Sequence, residues 1–283
     1  MSAPRAEAAA VPSSVARGHG PMAIVPARVR VALAALGLLA SLAILAPLVT
    51  PAAPEELDLT HRRAAPSGAH PFGTDELGRD VLSRVLFAAR VSLLLGLLSA
   101  AVASVAGASV GAVSGYASGA VDMVLMRLTD AMLVVPRLPL LMTACAVLQP
   151  GLLGLIALVG LVGWMEVARL VRARVQTLRT LDFVAAARAC GASEWRIVLR
   201  HLVPGVSSTL AVATTLAVAR AILLESALSF FGVGVQPPTP SWGNMLYQAQ
   251  TTMSSAPWLA LVPGACILLT TISVQMVGEG VER

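Results

Sequence analysis

Long stretches without a charged residue recur along this 283-residue chain. The first covers residues 31–49, and about 20 apolar residues in a helix cross the roughly 30 Å hydrocarbon core of a bilayer. Hydrophobic residues make up 57% of the chain and charged residues 12%, which is too little polar surface for a soluble protein. Because uncharged apolar runs of this length are typical of transmembrane helices, we predict an all-α polytopic membrane protein.

Six segments have the length and composition of membrane-spanning helices, and they lie within a transmembrane domain at residues 28–283. We predict these helices at 31–49, 91–117, 122–148, 151–165, 206–231 and 258–277. The alternative for 31–49 is a cleavable signal peptide, but the segment is long for one and more spans follow. Residues 1–27 are rich in Ala, Pro, Ser and Gly, which predicts a disordered tail. The small residues of 91–117 would let a neighbouring helix approach closely.

The placement of arginine predicts the orientation in the membrane. The loop at 166–204 carries seven arginines against three acids, whereas 232–257 carries no charge. The positive-inside rule therefore places the loop and both termini in the cytoplasm and 232–257 outside. The arginines flank apolar spans and form no separate basic domain, so the net charge of +5 does not indicate a nucleic-acid partner.

The chain lacks the residue patterns of catalysis. It contains no lysine, so a phosphate-binding P-loop is excluded, and it contains neither HExxH nor GxSxG. The four histidines are far apart in sequence and the three cysteines have no CxxC spacing, so we expect no metal site. We predict no catalytic residue and no cofactor bound by this chain. A secondary transporter that works alone and a pore driven by a separate ATPase both remain open.

Residues 181–203 favour the second class, because they predict two short helices in a cytoplasmic loop. Three alanines favour the first helix, a glycine is typical of its end, and a proline precedes the fifth span. Small side chains between arginines would form a low surface on which a partner protein can dock. The residues of this predicted docking element are Asp182, Ala185, Ala186, Ala187, Arg188, Gly191, Glu194 and Pro204.

The spacing of Ala185-Ala186-Ala187, Gly191 and Pro204 resembles the cytoplasmic coupling motif of ABC-importer permeases, with Ala185 in place of the motif's glutamate. Segments 70–97, 122–136 and 221–246 resemble permeases of the dipeptide, oligopeptide and nickel group. The resemblance implies a type I ABC-importer transmembrane domain in a bacterial plasma membrane, and this chain is similar to the shorter permease of a pair.

The same resemblance implies the partners. They are a second permease subunit, one or two ATP-binding subunits that carry ATP and Mg, an external solute-binding protein and membrane lipid. It also implies dipeptides or oligopeptides as the solute, with nickel chelates or haem as the alternative.

Several single residues are candidates for the pathway or for contacts. Arg137 lies between two prolines in the third span, and Glu225 lies in the fifth span five residues after Arg220. An intramembrane charge indicates either a pathway residue or a buried structural contact. Asp122 and Asp130 are spaced to pair with Arg127 on one helix. For contacts with an external partner, we predict the uncharged loop residues Gln236, Pro237, Pro238 and Trp242.

Overall fold

The computed structural model describes residues 26–50, 52–117 and 119–281, and their regular structure is helical. Residues 1–25 of the predicted disordered tail lie outside the described part. The helices are α1 (Ala27–Val49), α2 (Val81–Ala117), α3 (Gly119–Val134), α4 (Arg137–Leu148), α5 (Leu152–Leu178), α6 (Asp182–Ala189), α7 (Glu194–Ile197), α8 (Val203–Phe230), α9 (Trp242–Ala249) and α10 (Trp258–Val281).

Five of these helices, α1, α2, α5, α8 and α10, are long and apolar enough to cross a membrane. The pair α3 and α4 together forms a sixth candidate span, bent by 81° at its break. The all-α polytopic fold is therefore confirmed, and the span predicted at 122–148 consists of two helices that separate at its prolines. Pro136 precedes α4, and a proline restricts the residue before it away from helical geometry. Pro139 fits within the first turn of α4, where its missing N–H has no intrahelical partner to lose.

Helices α2 and α5 form the most extensive helix pair of the bundle. Gly107, Gly111 and Gly115 line the face of α2 that touches α5. A Cβ on Gly107 would lie 2.5 Å from the carbonyl oxygen of Trp164, and one on Gly115 would lie 2.8 Å from that of Arg172. The three glycines let the two backbones approach closely, as the small residues of this span predict.

Helix α2 begins at Val81 and not at the predicted residue 91. Its first turns can be helical within the bundle because Arg84 and Arg90 have hydrogen-bond or ion-pair partners there. Arg84 is almost fully buried, and its Nη1 lies 3.3 Å from Asp75 Oδ2. Arg90 donates to the carbonyl oxygens of Ala43 at 2.6 Å and Ile44 at 2.8 Å. Pro47 cannot donate the helical hydrogen bond to Ala43, so Arg90 satisfies a carbonyl that the proline leaves free.

The bundle has two ends of different composition. At one end, the segment before α2 packs against α9, where Arg79 Nη2 donates to Gln248 Oε1 at 3.1 Å. At the other end, Arg179 follows α5 and donates to the carbonyl oxygen of Tyr116, near the last residue of α2, at 3.1 Å. The uncharged loop and the predicted docking element therefore lie at opposite ends of α2.

Candidate functional site

The predicted docking element, residues 181–204, is called the coupling element from here on. It contains α6 and α7 and packs against the bundle through two apolar side chains. Val184 on α6 and Ile197 on α7 are fully buried. They belong to one apolar cluster with Val171 of α5 and Val206 of α8. The side chains of Ala185 and Ala186 are exposed. One face of the coupling element thus belongs to the bundle, and the face that carries the alanines is open.

The turn between α6 and α7 has the geometry that its glycine predicts. Gly191 has a φ of +78°, and its N–H donates to Arg188 O at 3.0 Å. The N–H of Ala192 donates to Ala187 O at 3.1 Å. These two bonds define a Schellman motif, which ends a helix with a left-handed residue. A Cβ at Gly191 would meet no atom within 4 Å, so the dihedral angle and not the space requires glycine here.

Arg188 and Glu194 span this turn, a contact that sequence spacing did not indicate. Arg188 Nε lies 3.3 Å from Glu194 Oε1, and both side chains are more than half exposed. Arg188 Nη2 also donates to the hydroxyl of Tyr116 on α2 at 3.3 Å. An exposed pair of this kind contributes about 0.2–1 kcal/mol. The pair therefore orients α7 relative to α6 without fixing it rigidly.

Pro204 lies inside a continuous helical segment, whereas we predicted it between the docking element and the fifth span. It is the second residue of α8, and the helical backbone continues into it from α7 through a π-helical turn at Val198–Leu202. In that turn, the N–H of Val203 donates to Val198 O. A proline inside an α-helix clashes with the carbonyl four residues earlier, and the wider π turn gives the chain room to avoid this clash. The result is one helical path from Glu194 to Phe230.

Glu225 is fully buried and bonded to two serines. Its Oε1 accepts from Ser229 Oγ at 2.7 Å, and its Oε2 accepts from Ser92 Oγ at 3.4 Å. The two hydroxyls in turn accept from the backbone N–H groups of Val235 at 2.9 Å and Trp242 at 3.2 Å. The carboxylate thus positions the loop after α8 through its serines, whereas Arg220 pairs elsewhere.

Trp242 is not at the surface of the uncharged loop, which corrects its predicted external contact. The side chain is fully buried, and its Nε1 donates to Val85 O at 3.2 Å. It is the first residue of α9, a helix that the sequence reading missed and that Ser241 and Asn244 cap reciprocally. The dipeptide Ser241-Trp242 followed by Asn244 was the available signal for a capped helix start. Of the predicted contact residues, Gln236, Pro237 and Pro238 are exposed.

The acids of α3 pair with arginines of α5 and not with Arg127. Asp122 accepts from both Nε and Nη2 of Arg172 at 2.6 Å, which is a bidentate pair. Asp130 forms an ion pair with Arg169. The prediction that Arg127 pairs with these acids was wrong, because spacing along α3 gives no information on the charged residues of α5. These pairs fix α3 along α5.

Arg137 belongs to a three-residue cluster that joins three helices. Its Nη2 lies 2.7 Å from Glu166 Oε1 on α5. The other oxygen of that carboxylate contacts Arg220 on α8. Sequence reasoning assigned Glu166 to a cytoplasmic loop, whereas it lies in the middle of α5. The apolar run stops at this residue, so hydropathy alone ended the helix too early.

The described residues contain no group of three His, Cys, Asp or Glu side chains that could hold a metal ion. The buried and half-buried charged side chains described above bond to one another, to serines or to backbone carbonyls.

The family model described as a binding-protein-dependent transport system inner membrane component matches residues 107–283. The chain belongs to this family. The match includes the coupling element, Glu225 and the uncharged loop, and it confirms the resemblance drawn from the coupling motif. The protein is thus a multi-pass membrane permease component of a transport system, with the type I importer fold.

Individual relatives agree with this assignment. The dipeptide transport system permease protein of Alkalihalophilus pseudofirmus is 36% identical over 241 residues, which cover 85% of this chain and 79% of the relative. The di/tripeptide transport system permease protein of Pseudomonas aeruginosa is 38% identical, with 85% and 81% covered. A glutathione transport system permease protein of Pectobacterium atrosepticum is 34% identical, with 80% and 75% covered.

Proposed function

We propose that this chain forms half of the pathway of an ATP-driven importer of short peptides. Its partners would be a second permease, one or two subunits that hydrolyse ATP with Mg, and an external solute-binding protein. The observation that supports this proposal best is the coupling element. It exposes small side chains at one end of the bundle, and Val184 and Ile197 attach it to α5 and α8.

The coupling element suits the transfer of motion from an ATPase. A rigid partner that grips the exposed face of Ala185 and Ala186 would displace α6 and α7 together. Because Val184 and Ile197 are packed in the same apolar cluster as α5 and α8, the displacement would tilt those spans. Tilting of packed helices around a central site is how many transporters alternate between outward-open and inward-open states.

The loop residues Gln236, Pro237 and Pro238 would contact the external binding protein or the partner permease. They are exposed at the end opposite the coupling element. Four arginines follow α5 within this segment, and they support a cytoplasmic position for the coupling element and for both termini; they are Arg179, Arg188, Arg196 and Arg200.

The relatives support a peptide as the solute. Their names specify dipeptides, di/tripeptides and glutathione, itself a small peptide. A short peptide carries charges at both ends, so its pathway must offer polar groups at membrane depth.

The proposal is tested by reconstituting the chain with its partner permease, ATPase and binding protein in proteoliposomes and measuring uptake of radiolabelled dialanine. We expect accumulation that requires ATP and the ATPase subunits. Accumulation by this chain alone, driven by an ion gradient, would instead identify a secondary transporter.

Docking is tested separately by disulfide trapping, with the native cysteines replaced by serine. Ala186→Cys should cross-link to a cysteine in the docking cleft of the ATPase. Ser254→Cys is the matched control, because it is exposed near α9, at the opposite end of the bundle. A cross-link from the control alone would reverse the proposed orientation.

A further inference from the structure

The cluster of Arg137, Glu166 and Arg220 carries a net positive charge at membrane depth. Two guanidinium groups share a single carboxylate, so one positive charge remains uncompensated within the cluster. At 1.5 Å per residue, Arg220 lies roughly 15 Å from the end of α8 at Phe230, and Glu166 lies roughly 18 Å from the end of α5 at Leu178. The cluster is therefore near the middle of the spans.

These side chains are only partly covered by their own chain. The exposed fraction is 48% for the Arg220 side chain, 33% for Glu166 and 21% for Arg137. Charges at this depth are too costly to face lipid, and they line a water-filled cavity or a protein interior instead. Gly163 and Ala217 line a small cavity of about 20 Å³ beside them, which has room for a water molecule.

The break between α3 and α4 lies next to the cluster of Arg137, Glu166 and Arg220. Arg137 is the first residue of α4, directly after the 81° bend. Interrupted helices at membrane depth occur where they line an aqueous cavity, and in transporters their N-terminal ends commonly bind anionic groups of the solute. The positive end of the α4 helix dipole therefore adds to the charge of Arg137 and Arg220.

We propose that Arg137 and Arg220, together with the N-terminus of α4, form a transit site for the carboxylate of the solute. This assignment rests on the proposed function in peptide import. Glu166 pairs with both arginines and reduces their net charge to one, so that a carboxylate binds weakly enough to leave again. A pathway site must release its ligand as readily as it accepts it.

The charge of the cavity is measured with a cysteine beside the cluster. Ala217→Cys is made in the assembled transporter after the native cysteines are replaced by serine, and its reaction with negatively and positively charged methanethiosulfonates is timed. We expect the negative reagent to react about tenfold faster, because a cationic cleft concentrates anions. Arg137→Gln and Arg220→Gln should each reduce this preference several-fold. Arg169→Gln, on the same helix as Glu166 but paired with Asp130, should leave it unchanged.

Equal rates for the two reagents, or no reaction with either, would overturn the transit site, since the cluster would then face the partner permease or another dry contact. Size-exclusion chromatography of each variant separates loss of charge from loss of assembly.

Uptake of radiolabelled trialanine distinguishes this proposal from the proposed function. We expect Arg137→Gln and Arg220→Gln to lower uptake at least fivefold while the complex stays assembled. If the parent complex does not import trialanine but keeps its preference for the negative reagent, the peptide function is wrong and the anion site stands. If trialanine is imported and the reagents react equally, the transit site is wrong and the peptide function stands.

Discussion

Substitutions of Gly191 should uncouple ATP hydrolysis from solute import, to a degree that depends on how strongly the new residue opposes the backbone angle. Because an added Cβ meets nothing within 4 Å, only the backbone angle of +78° opposes a side chain here. Alanine in this region costs about 1–2 kcal/mol, which shifts the balance between the closed turn and an open one by a factor of roughly 5–30. Asparagine tolerates the angle better. Proline fixes φ near −65° and also lacks the N–H that Gly191 donates to Arg188, worth about 1 kcal/mol more.

The assay is the number of ATP molecules hydrolysed per solute imported in proteoliposomes. We expect this ratio to rise in the order Asn, Ala, Pro, with Gly191→Asn close to the parent. Gly37→Ala is the matched control, because Gly37 also has no atom within 4 Å of an added Cβ but has no left-handed φ. If Gly191→Pro assembles and couples as well as the parent does, the turn does not carry the motion and the reasoning is wrong.

Three further predictions concern the contacts inside the bundle. Glu225→Ala should remove the acceptor of two serine hydroxyls and speed amide hydrogen exchange in the uncharged loop. Glu225→Gln should have a smaller effect because its side chain keeps one acceptor oxygen. Unchanged exchange rates would contradict this hydrogen-bond network. Arg90→Ala should leave the carbonyl of Ala43 unsatisfied and lower stability by about 1–3 kcal/mol, measured by thermal unfolding in detergent, with Arg90→Lys intermediate. Gly111→Val would press a side chain against Ala168 and should cost at least 1–3 kcal/mol in the same measurement, while wild-type stability would refute close packing of α2 on α5.

The sequence predicts the number and type of the spans because each apolar run must be helical in lipid. It also predicts the turn at Gly191, since that conformation depends on a single residue type. Helix ends were less accurate wherever a charge interrupts an apolar run. Helix α5 continues past Glu166 to Leu178 because its charged residues find partners on other helices.

Pairings between helices could not be predicted from spacing along one helix. Asp122 pairs with Arg172, and Arg220 with Glu166, across contacts that exist only after the bundle has assembled. Trp242 illustrates the same limit, because its amphipathic side chain suits a membrane interface but is buried by α2 and the loop around it.

The unbroken helical path from Glu194 to Phe230 has a consequence for communication between the two faces of the membrane. It is about 55 Å long at 1.5 Å per residue, and its backbone is helical along the whole of this length. Glu225 lies within two turns of its C-terminal end at Phe230 and bonds to Ser229, which holds the loop after it. A shift of either end therefore moves the other. By thermodynamic reciprocity, if a protein bound at one end of this path changes the affinity for a protein at the other end, the second protein changes the affinity for the first by the same factor.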